Sequence, residues 1–344
     1  MTVSRALNRP EIVADDTRHK ILEVCERLNY RPNANARSLR TNTSHQVGVI
    51  IPDWRNAFWI DVVSGIEAVL TGAGFQLLIA NSNEQGRREE LQIEAMLSQS
   101  VDGLLIAPSD GGPSGDSLSR IDELLAAGMP LVIIDRLPAG IANVSCVTID
   151  NESGAYKATR HLLSAGHRRI GLLAGNINLD TGQQRVDGYL RGLKEPGLAV
   201  DEQLIRTAET NAALVGREVG FSSTLEFLDM DYPPTALLCT SNTIAIGAIA
   251  ALQERRVQIP EEMAIVSFGD MEWTTLLSPP LTVITQPTIE MGRQAGLMLL
   301  EYLEDVPEDG HKRHRKQRRI VLEPQLIVRA SSVRGAAAKT IPDD

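Results

Sequence analysis

The sequence predicts an α/β protein in which two consecutive doubly wound, Rossmann-like lobes follow a small all-α head. From residue 46 onward, short apolar runs rich in Leu and β-branched residues alternate with polar loops and amphipathic stretches, which is typical of βα units on a parallel sheet. The runs lack a polar–apolar alternation, which indicates strands that are covered on both faces. A chain of 344 residues also exceeds what one core usually supports, so several domains are expected.

The apolar runs are the predicted strands, and the two lobes are predicted to divide near residue 148. Between the runs, Val62, Ile66 and Val69 lie at helical spacing in a segment that ends on glycine. Residues 152–167 begin on an acidic turn and end near Gly166, which predicts a second helix. The predicted strands are QVGVIIPD, FQLLIANSN, VDGLLIAPSD and PLVIIDR in the first lobe, and RRIGLLAG, TALLCTSN and MAIVSFGD in the second.

Composition excludes several classes of protein. Hydrophobic residues make up 43% and charged residues 23% of the chain, which excludes disordered and collagen-like classes. Cys25, Cys146 and Cys239 are far apart and form no CxxC motif, so we expect reduced thiols in a cytoplasmic protein. The N-terminus has no signal-peptide pattern and no apolar run approaches the roughly 20 residues of a membrane helix, so neither export nor a membrane partner is expected.

Charge is distributed unevenly along the chain. The formal net charge is −10, but residues 1–44 contain eight Lys/Arg and five Asp/Glu, which leaves +3 on this segment and −13 on the remainder. This asymmetry favours a small nucleic-acid-binding head on an acidic body. A second basic segment, 311–319, lies far from the head; it is interpreted either as a solvated, salt-bridged surface or as another nucleic-acid contact.

The predicted ligand site lies in the loops that follow the apolar runs, because ligands of doubly wound sheets bind at the carboxyl ends of the strands. These loops are rich in Asp, Asn, Arg and Trp, which suits a polar ligand held by hydrogen bonds and aromatic stacking. Neither GxGxxG, GxxxxGK[ST], GxSxG nor HExxH occurs at the required positions, and the six histidines lack metal-ligand spacing. A binding pocket between the lobes is therefore favoured over an enzyme, with no catalytic residue, metal or cofactor.

In order and spacing, a set of segments throughout the chain resembles the LacI family of bacterial transcriptional regulators (LacI/GalR type). The body of that family is similar to the periplasmic sugar-binding proteins, and the resemblance extends from residue 1 to about 332. It rests on TVSRALN, NYRPNANARSL, GVIIPD, GIEAVL, DGLLIAPSD, IDR, HLLSAGHRRIGLLAG, AIGAIAAL, IPEEMAIVSFGD, PPLTVITQP, MGRQAG and LIVRASS.

The resemblance implies a domain organisation. It implies a partial helix-turn-helix head at 1–32, a hinge helix or linker at 33–45, an effector-binding core at 46–334 and a flexible tail at 335–344. Within the core, lobe one is expected at about 46–147 plus 282–306, and lobe two at about 148–281 plus 307–334. The first helix of the head is absent, so we expect that about 20 residues are missing before Met1 by the family pattern. The alternative is a short form that senses a ligand without binding DNA.

The resemblance assigns DNA-binding roles to seven residues. Thr2, Ser4 and Arg5 match the recognition helix and Asn8 a phosphate-contacting position. In the hinge, Leu39 matches the leucine that inserts into the minor groove, and Arg37 and Arg40 are expected at phosphates. Without the resemblance, a solvated linker helix is the favoured interpretation of this segment. The helix that follows the recognition helix is expected to bury Ile21, Cys25 and Leu28 in a small core.

The resemblance also maps an effector site between the lobes. The aromatic rings can stack on a sugar and the charged groups can bind hydroxyls or an anion. Ala107, Ser241 and Gly269 replace polar residues that sugar binders often carry, while both arginines remain, which favours a larger or anionic sugar derivative such as a sugar acid. The effector residues implied by the resemblance are Asn56, Phe58, Trp59, Asp135, Arg136, Arg185 and Gln286, to which we add Asp270 and Trp273 from the loop after the last strand of lobe two.

The expected function is a ligand-responsive transcriptional regulator, most simply a repressor. It would bind a palindromic operator as a homodimer, and a sugar or sugar derivative would change its DNA affinity by closing the lobes. The sequence does not determine whether the ligand induces or corepresses. Two rival classes are a solute-binding protein of a transporter, which would need a secretion signal, and an enzyme that uses the cleft between the lobes.

Overall fold

The structure, a computed structural model, describes residues 2–3, 6, 12–28, 43–109, 116–138, 141, 144–208, 212–304 and 317–333. The chain forms two compact units, Met1–His45 and Gln46–Asp344. In the first unit, helix α1 spans Asp15–Arg27, with acidic residues in its first turn and a basic residue in its last, as the helix dipole favours. The predicted small core is only partly formed by the described residues: Ile21 and Cys25 are half-buried, whereas Leu28 is exposed.

The first lobe of the second unit is built on a six-stranded, wholly parallel sheet. Its central strands are buried on both faces, as their continuous apolar character predicts. Its strands are β1 (Gln46–Ile51), β2 (Gln76–Asn81), β3 (Gly103–Ile106), β4 (Leu131–Ile134), β5 (Ser145–Ile149) and β11 (Arg319–Leu322), in the spatial order β11-β5-β4-β3-β1-β2. Its helices are α2 (Ala57–Leu70), α3 (Gly86–Ser98), α4 (Asp116–Ala126) and α10 (Thr288–Glu304).

The second lobe repeats this architecture with one antiparallel edge strand. Its strands are β6 (Ile170–Ala174), β7 (Ile205–Thr207), β8 (Ala236–Cys239), β9 (Ala264–Phe268), β10 (Thr282–Thr285) and β12 (Gln325–Ile327), in the order β12-β10-β9-β8-β6-β7. Only the pairing of β12 with β10 is antiparallel among the described strands of this sheet. Its helices are α5 (Asn151–Ser164), α6 (Asp180–Lys194), α7 (Ala213–Leu228), α8 (Asn242–Glu254) and α9 (Glu272–Leu276).

The chain passes between the two lobes three times. It leaves lobe one after β5, returns after β10, and leaves again after β11. The predicted lobe boundaries are therefore wrong in two places: β10 belongs to the second sheet rather than to lobe one, and β11 belongs to the first sheet rather than to lobe two. Helix α10, which packs on α2 and on β3 to β5, is the part of the returning segment that completes lobe one.

Apolar residues fill both faces of both sheets. Val49, Leu105 and Val132 lie under α2 and α10 in the first lobe, and Leu172, Leu238 and Val266 lie under α5 and α6 in the second. Cys146 and Cys239 are buried free thiols whose pKa values burial raises. Among the described helices, none combines the length and apolar character that crossing a membrane requires.

Candidate functional site

The carboxyl ends of the two sheets face each other across a narrow cleft. Lobe one contributes Asn56, Phe58, Asp135 and Arg136, and the crossover after β10 contributes Gln286. The cavity has a volume of about 50 Å³, which is room for a few water molecules but is well below the roughly 300 Å³ of a small ligand pocket. Lobe two contributes the loop after β6 and the first turns of three helices, with Gly175, Thr181, Gly182, Arg185, Gly216, Thr240, Ser241, Asn242, Thr243 and Ile244.

Within the described ranges, three hydrogen bonds join the lobes across this cleft. In two of them a backbone N–H donates to a carboxylate. The first residue of a helix of lobe two is the donor in one of these bonds and the acceptor in the other. The third joins two amide side chains. The Ala213 N–H donates to Asp53 Oδ2 at 2.9 Å, the Leu137 N–H donates to Asp180 Oδ2 at 3.1 Å, and Asn242 Nδ2 donates to Asn56 Oδ1 at 3.2 Å.

Arg185 lies in the cleft, as predicted, and is held by lobe two. Its Nε donates to Asn151 Oδ1 at 2.8 Å, its Nη1 donates to the Thr240 carbonyl at 2.7 Å, and its Cζ lies 4.7 Å from the centre of the Phe268 ring. Burial lowers the pKa of this guanidinium to about 10, so it stays protonated at neutral pH. Nη2 makes no hydrogen bond within the described part of the chain, which leaves it as a donor for a ligand.

Asp135 lies in the cleft in a strained turn directly after β4. Its φ is +66°, and the Arg136 N–H donates to the Ile134 carbonyl at 2.7 Å, so Asp135 is the central residue of a γ-turn of the rare positive-φ form. The side chain is buried, and Oδ1 has no hydrogen-bond partner among the described residues. Burial raises the pKa of its carboxyl, against the smaller opposing effects of Arg136 and Arg185.

Arg136 borders the cleft, but its charged group is paired inside lobe one. Nη1 and Nη2 donate to the two carboxylate oxygens of Glu84 at 2.7 and 2.8 Å, and Nη1 also donates to the Pro108 carbonyl at 3.1 Å. The guanidinium lies 5.5 Å from the Trp59 ring centre. Arg136 therefore lies at the cleft as predicted, but the Glu84 carboxylate already pairs with its charge.

Trp59 is a core residue rather than a wall of the cleft. Its side chain is buried under α10 and meets Phe58 edge-on at 4.8 Å between ring centres. Adjacent residues of a helix point about 100° apart, so only one of these two rings faces the cleft, and that ring is Phe58.

Asp270 and Trp273 do not line the cavity, contrary to their predicted position. Both carboxylate oxygens of Asp270 accept hydrogen bonds from Arg329, each at 2.8 Å, and Trp273 packs, partly buried, against the apolar core of lobe two. The loop after β9 therefore binds Arg329, in the segment that follows β12, and Asp270 does not line the cavity.

Asn56 and Gln286 lie in the cleft as predicted. Asn56 caps α2 by accepting from the Phe58 N–H at 3.2 Å. Gln286 Nε2 is buried without a hydrogen-bond partner among the described residues. The sequence analysis does not single out Thr240 and Asn242, which line the cleft. It also does not single out Asp53, Glu84 and Asp180, although they lie in the loops that follow the predicted strands.

Of the predicted DNA-binding residues, the structure describes only Thr2, which is helical and exposed. The other predicted contacts, Ser4, Arg5, Asn8, Arg37, Leu39 and Arg40, lie outside the described residues, as do the tail 335–344 and most of the basic segment 311–319. In the described ranges, no cluster of three or more His, Cys, Asp or Glu residues could hold a metal ion.

The fold and the cleft define a two-lobed ligand-binding body of the periplasmic-binding-protein type. Residues 44–323 match the family model for periplasmic binding proteins and the sugar-binding domain of the LacI family, and residues 1–33 match that of the bacterial regulatory proteins of the lacI family. The chain therefore belongs to the LacI family, and it is a ligand-responsive transcriptional repressor.

Its relatives are repressors rather than enzymes. The chain is 32% identical to the ribose operon repressor of Haemophilus influenzae, over 96% of this chain and 94% of that protein. It is 31% identical to the transcriptional repressor PurR of H. influenzae strain PittEE, with the same coverage. The structure of the transcriptional regulator CelR in complex with cellobiose matches with a TM-score of 0.72 and 28% identity, over 96% of this chain and 95% of that one.

Proposed function

We propose that this repressor binds a palindromic operator as a homodimer and that its effector is a small, neutral, polyhydroxylated molecule of sugar type bound between the lobes. The observation that carries the proposal is the set of unpaired polar atoms in the cleft. Asp135 Oδ1 is a buried acceptor, and Gln286 Nε2 is a buried donor. Arg185 Nη2 supplies a second donor from the opposite lobe.

A polyol matches this set because each hydroxyl both donates and accepts. Hydroxyl groups of the ligand would donate hydrogen bonds to the Asp135 carboxylate, and their oxygens would accept hydrogen bonds from Arg185 and Gln286. Phe58 offers an apolar ring to the C–H face of a sugar. The ribose and cellobiose named for two relatives support the same chemical class.

Charge favours a neutral ligand over the sugar acid that the sequence suggested. Arg136 is paired with Glu84, so among the described residues that line the cleft one cation, Arg185, and one anion, Asp135, remain. An acid would gain from Arg185 but would bring its carboxylate close to that of Asp135 in a desolvated site.

The ligand would act on DNA by linkage. The cavity of about 50 Å³ is too small for a sugar, so a bound sugar would hold the lobes further apart than in this structure, and the heads attached to lobe one would respond through the dimer. A coupling free energy of about 1 to 3 kcal/mol would change operator affinity about 5- to 150-fold. In this proposal Thr2, Ser4 and Arg5 lie on the recognition helix in the major groove, and Leu39 inserts into the minor groove. Asn8, Arg37 and Arg40 contact phosphates.

Calorimetric titration tests the proposed effector class. D-ribose, D-glucose and cellobiose, together with D-ribonate and D-gluconate, would be titrated into the full chain and into Asp135→Asn. We expect one neutral sugar to bind, and the substitution to weaken it by about tenfold or more, about 1.4 kcal/mol. Asp229→Asn, which removes a charge from a surface pair with Arg255, is the matched control and should bind like the parent. Binding of only the acids, or of none of these compounds, would contradict the proposal.

A further inference from the structure

We infer that Glu84, which lies outside the cleft, is a positioning and specificity residue of the effector site and acts through Arg136; the inference rests on the proposed function. Glu84 follows β2 in the loop at the carboxyl edge of the first sheet, and its side chain and that of Arg136 are only 3% and 6% exposed. The two groups form a bidentate pair at 2.7 and 2.8 Å. Burial at this level makes the pair a fixed part of lobe one.

The pair holds the turn that presents Asp135. A positive-φ γ-turn at a residue other than glycine is strained and persists only where the surroundings impose it. The residue directly after the turn is Arg136, and its guanidinium is fixed by Glu84 from the loop after β2 and by the Pro108 carbonyl from the loop after β3. Three neighbouring loops are thereby tied together, and Asp135 keeps its buried, unpartnered oxygen in the cleft.

The same pair sets the charge preference of the cleft. Arg136 borders the cavity, and its Nε, 3.7 Å from Asp135 Oδ2, has no hydrogen-bond partner among the described residues. Without a carboxylate at residue 84, the net charge of the groups next to the ligand would become more positive by one, because Arg136 would keep only the weaker ion pair with Asp135 at 3.7 Å. Glu84 therefore keeps the site selective for a neutral ligand without touching it.

Glu84→Gln tests both consequences, because it keeps the shape and removes the charge. The probes are the neutral sugar that binds the parent in the panel above and the sugar acid with the same carbon skeleton. We expect the neutral sugar to bind about tenfold more weakly, and the ratio of acid to neutral dissociation constants to fall by about tenfold or more. General loosening of the lobe would weaken both ligands equally, so an unchanged ratio would overturn the specificity claim.

Two further variants separate charge from packing. The double substitution Glu84→Gln and Arg136→Gln removes both charges, and its acid-to-neutral ratio should return to within about threefold of the parent; a ratio that stays as low as in the single variant would overturn the specificity claim. Glu290→Gln breaks a bidentate pair of the same type with Arg293 on the surface and should leave binding unchanged.

A crystal structure of Glu84→Gln tests positioning without any ligand. We expect Asp135 to leave the positive-φ region, or its carboxylate to turn out of the cleft, and an unaltered turn would overturn the positioning claim. If Glu84→Gln does not fold, as judged by circular dichroism, a crystal structure of the double variant Glu84→Gln and Arg136→Gln tests the positioning claim instead. Failure of the proposed function is distinguishable, because it appears as absent sugar binding in the parent, whereas this structural outcome does not depend on the ligand.

Discussion

The Asp53 carboxylate of lobe one accepts a hydrogen bond at 2.9 Å from the backbone N–H of Ala213, the first residue of α7 in lobe two. Its other oxygen accepts from the Arg55 N–H in its own loop at 2.9 Å. Asp180 makes the reciprocal arrangement: it begins α6 of lobe two and accepts from the Leu137 N–H of lobe one. Each lobe thus contributes one carboxylate to the closed cleft, and neither carboxylate lines the ligand cavity.

Asp53→Ala should favour the open form of the body. The substitution removes a charge-assisted hydrogen bond, worth about 1.5 to 3 kcal/mol, that joins the two lobes. Because the closed cavity of about 50 Å³ is too small for a sugar, we expect effector affinity to rise, by up to about tenfold, and the radius of gyration in small-angle X-ray scattering to increase. Asp201→Ala removes comparable contacts, to Gln203 and Arg169, within lobe two and is the control. Equal effects of the two substitutions on affinity would show that Asp53 does not hold the lobes together.

Asp135→Asn should stabilise the protein while weakening effector binding. The carboxyl is buried with an unpartnered oxygen, and asparagine tolerates positive φ, so the substitution should add about 0.5 to 2 kcal/mol to the free energy of unfolding. Urea denaturation measures the stability and calorimetry the binding. A variant that is both less stable and fully competent for binding would contradict the assigned role.

The same variant should change how stability depends on pH. Burial raises the pKa of the Asp135 carboxyl above 3.8, so the native state binds this proton more tightly than the unfolded chain does. The contribution of Asp135 to stability is therefore greatest below the unfolded pKa and declines as pH rises through the native pKa. The stability difference between Asp135→Asn and the parent should grow with pH across that interval, and urea titrations at successive pH values should reveal it. A difference independent of pH would contradict the buried-carboxyl account.

Arg185→Met should lower both the effector affinity and the free energy of unfolding. It leaves the Thr240 carbonyl and Asn151 Oδ1 without their donor, which should lower the free energy of unfolding by about 2 to 4 kcal/mol. Effector affinity should fall more than about tenfold, because one cleft donor is lost. Arg191→Met on the same helix removes an exposed guanidinium and should leave stability close to that of the parent. Unchanged effector affinity of Arg185→Met would reject its role as a ligand donor.

Asp270→Ala should separate stability from binding. Its carboxylate binds Arg329 and accepts from the Thr274 hydroxyl at 2.8 Å, away from the cleft. We expect the free energy of unfolding to fall by about 1 kcal/mol and the effector affinity to remain that of the parent. Thermal unfolding and calorimetry provide the two measurements. A large loss of affinity would restore the sequence-based assignment of Asp270 to the effector site.

The sequence predicted the lobes and about half of the site, for a physical reason. Buried parallel strands need continuous apolar runs, and the carboxyl ends of such strands converge. The sequence alone therefore predicts that the loops carrying Asp135 and Arg185 lie close together. The short strands β10 and β11 carry no distinctive pattern, and their sheet membership depends on where the chain crosses between the lobes.

Side-chain direction accounts for the remaining errors. Nothing in the local sequence distinguishes the core-facing Trp59 from the cleft-facing Phe58, and the pairing of Arg136 with Glu84 joins residues 52 positions apart. Asp270 and Arg329 are separated by 59 positions, so the sequence does not indicate their ion pair either. Long-range charge pairing decides which predicted polar residues are available to a ligand, and it becomes visible only in the folded chain.

Selection of binding sites from random DNA, with and without the sugar that binds the cleft, tests the central claim most directly. If the chain is a repressor governed by this site, it should enrich a palindromic sequence, and the sugar should change the affinity for that sequence by about 5- to 150-fold in the parent but not in Asp135→Asn. Absence of any enriched sequence in either condition, or an enriched sequence whose affinity the bound sugar leaves unchanged, would contradict the account.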